Sequence, residues 1–203
     1  MTPFLWNETK GNPLNAEDVI QKFKETGALL EGHFLLSSGL HSPKYLQCAL
    51  VLERPENAEM FGLSIAEHFA GHGIQTVASP AIGGIIIGYE VARALKARFI
   101  WTEREQGKMV LRRGFKIEPR ERVLVVEDVI TTGGSTLETI EALRFYGADI
   151  VAAASIIDRS GGAADVSVPR IALATLAVPS VASSECEACA RGEIAIKPGS
   201  RKA

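Results

Sequence analysis

The segment that most restricts the fold begins at Val123, where the apolar run VLVV leads into two adjacent carboxylates, Glu127 and Asp128. Threonines, glycines and a serine follow, and then the stretch STLETIEALRFYG. An apolar run without polar alternation is typical of a strand buried on both faces, and the later stretch predicts a helix. We therefore expect a strand, a loop and a helix, with two carboxylates that need a partner where the strand ends.

The same alternation continues through most of the chain from Pro55 onward. Further short apolar strands are predicted at QTVASPA, RFIWT, DIVAAASIID and RIALATL, with helical segments among them. The pattern indicates the α/β class, with a mostly parallel central sheet flanked by helices. Because 203 residues suffice for one sizeable core, we expect a single domain over residues 1–203. Its small hood is expected to come mainly from residues 1–54 and the carboxyl-terminal tail.

Two elements precede the alternating region. NAEDVIQKFKETG has a capping Asn15, an acidic residue three positions later and Gly27 as a stop, and these features predict a helix. The next stretch, EGHFLLSSGLHSPKYLQ, alternates short apolar runs with Ser-Gly and Ser-Pro breaks. That pattern predicts a hairpin-like pair of extended segments, which we expect to form a flap.

The composition excludes several classes of protein. With 46% hydrophobic and 23% charged residues, the chain is typical of soluble globular proteins. Its formal net charge of -2 gives no overall attraction to nucleic acid, and no apolar run reaches the roughly 18 residues of a membrane span. The amino end lacks the apolar stretch of a secretory signal. We therefore expect a cytoplasmic protein with neither nucleic-acid nor membrane partners.

The three cysteines, Cys48, Cys186 and Cys189, do not have the number or spacing of a disulfide framework. Cys186 and Cys189 form a CxxC, which is half a zinc site by spacing, whereas a complete site needs about four ligands. We favour structural or incidental thiols in a tail over a metal site that a symmetric partner completes. No residue is assigned from the sequence as a direct metal ligand.

The loop TTGGST has the features of a phosphate site. Its two glycines allow close approach of the backbone to an anion, and the following helix offers its positive amino end. Hydroxyl donors are available from Thr131, Thr132, Ser135 and Thr136. The loop lacks both the GK[ST] of a Walker A motif and the GxGxxG of dinucleotide folds, so a phosphate monoester fits better than a triphosphate or NAD.

Glu127 and Asp128 then suggest what else the ligand carries. Carboxylates beside a phosphate cradle would repel the phosphate unless another part of the ligand covers them, and a ribose diol can do so by donating hydrogen bonds. The alternative is a strand end with two solvated acids. Because the acids stand directly before TTGGST, we favour a ribose 5-phosphate group as the ligand.

The segment VLVVEDVITTGGS resembles the signature of the type I phosphoribosyltransferases, whose acids and Thr- and Gly-rich loop bind the 5-phosphate of phosphoribosyl pyrophosphate (PRPP). The resemblance implies that family's fold and identifies the donor but not the acceptor base. It implies PRPP contacts at Glu127, Asp128, Val129, Ile130, Thr131, Thr132, Gly133, Gly134 and Ser135.

The flap segment FLLSSGLHSPKYLQ resembles the one that orotate phosphoribosyltransferases place over the pyrimidine. Phe34, Ser38 and Gly39 match the turn of that flap. Tyr45 and Leu46 stand where the family usually has two phenylalanines, so the resemblance implies that one ring, Tyr45, stacks on the base. Ordinary packing of Tyr45 is the alternative.

IIDRSGG, at the end of a late predicted strand, also resembles the orotate enzymes. Its arginine, Arg159, offers a planar fork suited to a carboxylate, and orotate is a pyrimidine that carries one. The resemblance implies orotate contacts at Arg159 and Thr131, and Asp158 is expected to orient Arg159.

The segment from Trp101 to Arg122, both included, contains seven basic and four acidic residues and is interrupted by glycines. A charge run is usually a solvated face, but its position between two predicted core strands suits a mobile lid. The resemblance implies that such a lid reaches across a homodimer interface and covers the pyrophosphate. Arg104 and Lys108 are the expected pyrophosphate contacts.

The chain departs from better-known members of the family at three points. They have lysines where Ser37 and Gly83 stand, and a histidine in the lid that has no counterpart here. Pyrophosphate contacts are therefore expected from the lid and from backbone N–H groups of residues 81–84.

The resemblance implies an Mg²⁺-dependent enzyme that transfers the phosphoribosyl group of PRPP to orotate in pyrimidine biosynthesis. Glu127, Asp128, Arg104 and Lys108 are its expected catalytic residues. Mg²⁺ is expected to bind mainly through PRPP rather than protein ligands. Two alternatives remain: a phosphoribosyltransferase for another base, and a non-catalytic regulator that senses PRPP.

Overall fold

The computed structural model describes residues 14–36 and 39–197. Two residues discussed above, Ser37 and Ser38, lie outside the described residues. Within the described part, no helix has both the length and the apolar character needed to cross a membrane.

The predicted first helix is confirmed as α1 (Ala16–Glu25). It begins with a capping box in which the Asn15 side chain accepts a hydrogen bond from the Asp18 N–H at 2.9 Å, while the Asp18 carboxylate accepts from the Asn15 N–H. Its apolar face buries Val19 and Phe23 completely. The chain then reverses at Gly27, which has a φ of 67°.

The predicted flap is a two-stranded antiparallel hairpin of β1 (Leu29–Leu35) and β2 (His41–Leu46). The carboxyl-terminal tail pairs with both strands of this hairpin. The Leu35 N–H donates to the Ile196 carbonyl at 2.8 Å, and His41 exchanges backbone hydrogen bonds with Val181. The tail is therefore attached to the flap through its backbone.

The remaining elements form the main body. Its strands are β3 (Thr76–Pro80), β4 (Arg98–Glu105), β5 (Lys108–Leu111), β6 (Arg122–Ile130), β7 (Asp149–Asp158) and β8 (Arg170–Thr175). Its helices are α2 (Cys48–Leu52), α3 (Pro55–His68), α4 (Gly84–Leu95), α5 (Gly134–Phe145) and, in the tail, α6 (Glu187–Ala190). These strands form one sheet in the order β5-β4-β3-β6-β7-β8, parallel throughout except for β5. The predicted fold class is confirmed.

The apolar run of β6 is buried on both faces of the sheet, as its lack of alternation predicted. Leu124 and Val126 lie in a core cluster with residues of α3 and α4, and Val123 and Val125 lie in a second cluster with residues of α5. All four have no exposed surface. This double burial fixes β6 at the centre of the sheet and directs its carboxyl end to the edge where ligands bind in such folds.

Two boundaries differ from the sequence prediction. We expected β6 to end at the acids, but Val129 and Ile130 continue the ladder opposite Ile157 and Asp158 of β7. The strand continues because Ile130 is completely buried and its carbonyl accepts a hydrogen bond from the Arg159 N–H at 2.8 Å. Glu127 and Asp128 therefore lie on the last part of the strand itself.

The basic segment contains a hairpin where we expected only a loop. β4 extends to Glu105 and pairs with β5, so that Glu105 lies opposite Lys108. The connecting residues, Gln106 and Gly107, have φ values of 50° and 83°. Positive φ at both central residues is typical of a tight two-residue hairpin turn.

Candidate active site

The loop Thr131–Gly133 joins β6 to α5 and has the backbone form of an anion cradle. Gly133 has a φ of 82°, and a Cβ added there would lie 2.9 Å from Val166 Cγ1. Only glycine combines this conformation with so close a neighbour. Thr131, Thr132 and Gly134 are exposed at the amino end of α5, where N–H groups and the helix dipole favour a phosphate.

One predicted phosphate donor is wrong. The hydroxyl of Thr136 is completely buried and donates to Glu127 Oε2. Thr136 therefore orients the carboxylate instead of facing the loop. The side chain is directed inward because Thr136 lies in the first turn of α5, on the side that packs against β6.

Glu127 is surrounded by protein on most sides, and this burial raises the pKa of its carboxyl to about 7. The hydrogen bond from Thr136 acts in the opposite direction, and the charge of Asp128 adds to the increase. A carboxyl with a pKa near neutrality accepts a proton or a donor group readily. Glu127 can therefore accept a hydrogen bond from a hydroxyl group of a ligand, and that hydrogen bond stabilises the ionised carboxylate.

Asp128 occupies a similar environment, and burial raises the pKa of its carboxyl. The Val129 N–H donates to Asp128 Oδ1 at 2.9 Å, and the Cys48 thiol supplies a further hydrogen bond. Cys48 is itself buried beneath this carboxylate, and burial raises the pKa of its thiol. Sequence analysis missed Cys48 as a neighbour of the site because 80 residues of chain separate it from the acids.

The loop between β3 and α4 lies directly against Asp128. A Cβ added at Gly83 would lie 2.9 Å from both carboxylate oxygens of Asp128. The Ala81 N–H, one of the expected pyrophosphate donors, is already used because it donates to the Thr102 carbonyl at 2.8 Å. That expectation is wrong for Ala81. The candidate donors in this loop are thus reduced to residues 82–84.

Arg159 follows β7 and lies at the same edge of the sheet. Its Nε is buried and has no hydrogen-bond partner among the residues that the structure describes. Burial lowers the pKa of the guanidinium, whereas the nearby Tyr45 and Cys48 raise it. A buried donor without an acceptor costs free energy of about 1–3 kcal/mol, so this position favours an anionic ligand.

Asp158 does not orient Arg159 as expected. Its carboxylate accepts from the Ser160 N–H at 2.7 Å and forms an ion pair with Arg170 at 2.7 Å. Burial acts to raise the pKa of Asp158, but the hydrogen bonds from Ser160 and Arg170 and the charge of Arg170 together lower it below its ordinary value. Sequence analysis missed Arg170, which stabilises the turn after β7. With Asp158 satisfied elsewhere, Arg159 keeps its donors for a ligand.

Tyr45 brings the flap to this edge of the sheet. It is partly exposed, and its ring centroid lies 5.8 Å from that of Phe34 on the paired strand. Tyr45 acts to raise the pKa of the Arg159 guanidinium, which indicates that the two side chains lie in the same region. The structure thus brings together Tyr45 and Cys48, Asp128, and Arg159 from three separate parts of the chain.

The two predicted pyrophosphate residues of the lid lie on the hairpin of β4 and β5. Arg104 forms an ion pair with Glu138 of α5 at 2.6 Å and also donates to the Gly107 carbonyl. Lys108 is exposed and forms no ion pair within the described part of the chain. The Arg104 pair attaches the hairpin of β4 and β5 to α5, the helix that begins at Gly134.

Other basic residues of this segment are neutralised internally. Arg113 makes a two-point contact with Glu103 at 2.6 and 3.0 Å, and Arg112 contacts Glu105 at 3.3 Å. The Arg113 hydrogen bonds are the main reason that the pKa of Glu103 falls to about 2. This part of the charge run is a network of surface ion pairs, as the alternative interpretation of such runs proposed.

Comparison with known proteins gives the same family as the motif. Residues 57–172 match the phosphoribosyl transferase domain. The chain is 53% identical to an orotate phosphoribosyltransferase from Pelotomaculum thermopropionicum, over 93% of this chain and 100% of the relative. It is 54% identical to the enzyme of the same name from Caldicellulosiruptor bescii, again over 93% and 100% of the two chains.

A solved structure agrees. The orotate phosphoribosyltransferase from Aeropyrum pernix superposes with a TM-score of 0.64 at 27% identity, covering 78% of this chain and 93% of that one. The fold, the loop after β6 and the sequence identity over almost the whole chain therefore agree. The chain belongs to the orotate phosphoribosyltransferases, within the phosphoribosyl transferase family.

Proposed function

We propose that this protein transfers the 5-phosphoribosyl group of PRPP to orotate, giving orotidine 5'-monophosphate and pyrophosphate. The observation that carries the choice of base is Arg159, whose buried Nε has no partner among residues 14–36 and 39–197. The carboxylate of orotate supplies the acceptor that this donor lacks. Thr131, exposed beside the end of β7, is the second proposed orotate contact.

PRPP is proposed to lie along the carboxyl end of β6. Its 5-phosphate accepts hydrogen bonds from N–H groups and hydroxyls of the loop that begins at Thr131, with Val129 lining the approach and the buried Ile130 supporting the loop from within the core. Glu127 and Asp128 then accept hydrogen bonds from the ribose diol. Burial raises the pKa of both carboxyls, and the hydroxyl donors of the ribose, together with the positive charge of Mg²⁺, would favour their ionised form.

The reaction forms one bond and breaks one. A ring nitrogen of orotate, already anionic, attacks the anomeric carbon, and the bond from that carbon to pyrophosphate breaks with its electron pair leaving on oxygen. Positive charge develops on the ribose ring between these events. Glu127 and Asp128 lie close to that charge and stabilise it, so no separate general base is needed.

Mg²⁺ suits this site because its preferred ligands are oxygens, mostly from water and phosphate with one or two carboxylates. The two partly exposed carboxylates of Glu127 and Asp128 fit this requirement. When bound, Mg²⁺ neutralises charge on the leaving pyrophosphate. Glu127 and Asp128 hold the ribose of the same PRPP molecule in position.

The flap and the lid are proposed to close the site. Tyr45 stacks on the pyrimidine and, with Phe34 behind it, excludes water from the anomeric carbon. Arg104 exchanges Glu138 for the pyrophosphate, which Lys108 also contacts. We propose that the protein is a homodimer in which the lid serves the neighbouring site.

Three exposed apolar residues, in the loop between β3 and α4 and on α4 itself, support the proposed dimer. Ile82, Ile86 and Tyr89 are 84%, 46% and 57% exposed and follow one another at helical spacing. A second copy that covers them would bring its own lid to the cleft. We also place the protein in the cytoplasm, since sparse, unpaired cysteines are typical of a reducing compartment.

The direct test mixes the purified protein with PRPP, Mg²⁺ and orotate and follows the loss of orotate absorbance. Adenine, hypoxanthine and uracil serve as parallel acceptors. We expect orotate to be the strongly preferred acceptor, with only slow turnover of uracil and none of the purines, and we expect all turnover to be lost when Mg²⁺ is chelated. Turnover with a purine would establish the other-base alternative, and PRPP binding without turnover of any base would establish the sensor.

Mixing two inactive variants tests the shared lid. One carries Arg104→Ala with Lys108→Ala, and the other carries Asp128→Asn. If lids cross the interface, hybrid dimers regain one intact site and the mixture recovers about a quarter of wild-type activity. Recovery will be absent if each lid serves its own subunit.

A further inference from the structure

Four potential metal ligands meet where the tail contacts the flap. They are His33 of β1, His41 of β2, Cys186 before α6 and Cys189 within α6. One ligand atom from each lies within 4.8 Å of all the others. The chain has only four histidines and three cysteines, so half of the histidines and two of the cysteines converge here.

The distances within this cluster suit tetrahedral coordination. Cys186 Sγ lies 3.4 Å from His33 Nε2, and Cys189 Sγ lies 3.7 Å from His33 Nε2 and 3.3 Å from His41 Nδ1. Nitrogen and sulfur ligands at ordinary zinc distances are separated by about 3.3–3.8 Å in a tetrahedron. The two ring nitrogens, now 2.6 Å apart, need to separate by about 0.7 Å to share an ion.

A second contact fixes the orientation of one ligand. His33 Nδ1 lies 3.1 Å from the Glu193 carbonyl, to which only a protonated Nδ1 can donate. In the neutral ring this leaves the lone pair on Nε2, the atom that faces the other three ligands. Metal-binding histidines usually have such a carbonyl or carboxylate partner on the other ring nitrogen.

The environment of the cluster is that of a structural site. His33, His41 and Cys186 are 7%, 8% and 9% exposed, whereas Cys189 is partly exposed and leaves a path for entry. Two thiolates neutralise a divalent ion, so a buried site gains no net charge. Two sulfurs and two imidazole nitrogens in a tetrahedron select zinc over magnesium or calcium.

We propose that His33, His41, Cys186 and Cys189 bind one Zn²⁺ ion that attaches the tail to the flap. The sequence offered the CxxC as half a site, and we favoured incidental thiols because no second half was visible. The second half comes from a hairpin about 150 residues earlier in the same chain, which makes a symmetric partner unnecessary.

The consequence of the metal is mechanical. β2 carries both His41 and Tyr45, and β1 carries both His33 and Phe34. An ion that fixes the two histidines to α6 therefore fixes the strands that present the rings to the cleft. The ion does not take part in the transfer itself, and this consequence, unlike the metal site, rests on the proposed function.

Metal content tests the site without any reference to activity. The full chain, purified under reducing conditions, is expected to contain about one zinc per chain by elemental analysis. Replacement by Co²⁺ is expected to give the visible absorption of a tetrahedral ion and the charge-transfer band of thiolate ligands. Cys186→Ser and Cys189→Ser are each expected to weaken metal affinity more than about 100-fold.

Two matched variants serve as controls for the metal measurement. Cys48→Ser removes the remaining cysteine, and His68→Asn removes an exposed histidine of α3. Both are expected to keep the full metal content. If the cluster variants fail to fold, the cobalt spectrum of the wild-type chain still decides, because its charge-transfer band requires thiolate ligation.

Three results would overturn the proposal. They are a reduced wild-type chain that binds neither zinc nor cobalt, metal binding that Cys186→Ser and Cys189→Ser leave unchanged, and freshly purified protein in which these cysteines form a disulfide without metal. Because all three are measured without PRPP or orotate, they are independent of the outcome of the transferase assay.

Discussion

The phosphate loop and the flap are built in opposite ways. The loop is continuous in the chain, since Glu127, Asp128 and the residues up to Ser135 lie on one strand, one turn and the start of one helix. The flap is assembled from distant segments, with its hairpin near the amino end and its supporting tail about 150 residues later. A site that is continuous in the chain produces a sequence motif, whereas a site assembled from distant segments can be recognised only when the fold is known.

The largest effect is expected at the continuous site. Asp128→Asn removes one charge beside the developing positive charge on ribose, and we expect kcat/KM for PRPP to fall about 100- to 1,000-fold. Steady-state kinetics at saturating orotate measure this change. Glu141→Gln, an exposed acid of α5, is the control and should stay within about twofold of wild type. A similar loss in both variants would contradict a local role for Asp128.

The backbone of the loop is expected to show the next largest effect. Gly133→Ala combines a left-handed φ with a contact at 2.9 Å from Val166, and should lower the free energy of unfolding by about 2–4 kcal/mol. Gly71→Ala is a matched control, since its φ is 80° and nothing lies within 4 Å. Denaturant unfolding should show a loss of about 1–2 kcal/mol for the control. Equal losses of unfolding free energy in the two variants would contradict a destabilising contact between the new Cβ and Val166.

The assembled site should respond more weakly to a single change. Tyr45→Leu removes the ring proposed to stack on orotate while keeping an apolar side chain, and we expect KM for orotate to rise about 10-fold. KM for PRPP should change little, and comparing the two constants separates stacking from a general loss of structure. A KM for orotate equal to that of wild type would favour ordinary packing of Tyr45.

A smaller effect is expected in the dependence of stability on pH. The folded pKa of Glu127, about 7, lies above its ordinary value of 4.5, so the protonated form is favoured by folding. Wild type should therefore lose stability as pH rises from about 4.5 through about 7, and Glu127→Gln, which keeps only the raised pKa of Asp128, should lose less. Unfolding free energies measured at about pH 5 and about pH 9 should show the variant gaining relative to wild type. A constant difference would contradict the raised pKa.

The same contrast explains what could be predicted from the sequence. The strand before Glu127 and the helix that begins at Gly134 follow from local apolar patterns, so the fold class and the strand, loop and helix around TTGGST were predicted correctly. The partners of individual side chains were not: Thr136 binds Glu127, and Asp158 pairs with Arg170 instead of orienting Arg159. These pairings depend on which side chains meet between neighbouring helices and strands. A local sequence pattern contains no information about such contacts.

Contacts between distant segments were missed for the same reason. Cys48 lies beneath Asp128, and His33 and His41 face Cys186 and Cys189. A histidine on each of two paired strands, together with a later CxxC, is a signal that can be searched for. This sequence signal indicates a metal site only when the fold is known to bring the tail against the hairpin.

The measurement that tests the central claim most directly compares orotate with uracil, which lacks the carboxylate, in wild type and in Arg159→Ala. If the guanidinium binds the carboxylate, the variant should lose about 100-fold in kcat/KM for orotate and almost nothing for uracil. Arg144→Ala, an exposed arginine of α5, should leave both values unchanged. Unchanged kcat/KM for orotate in Arg159→Ala, or equal losses for both bases, would contradict the proposed role of Arg159 in choosing the base.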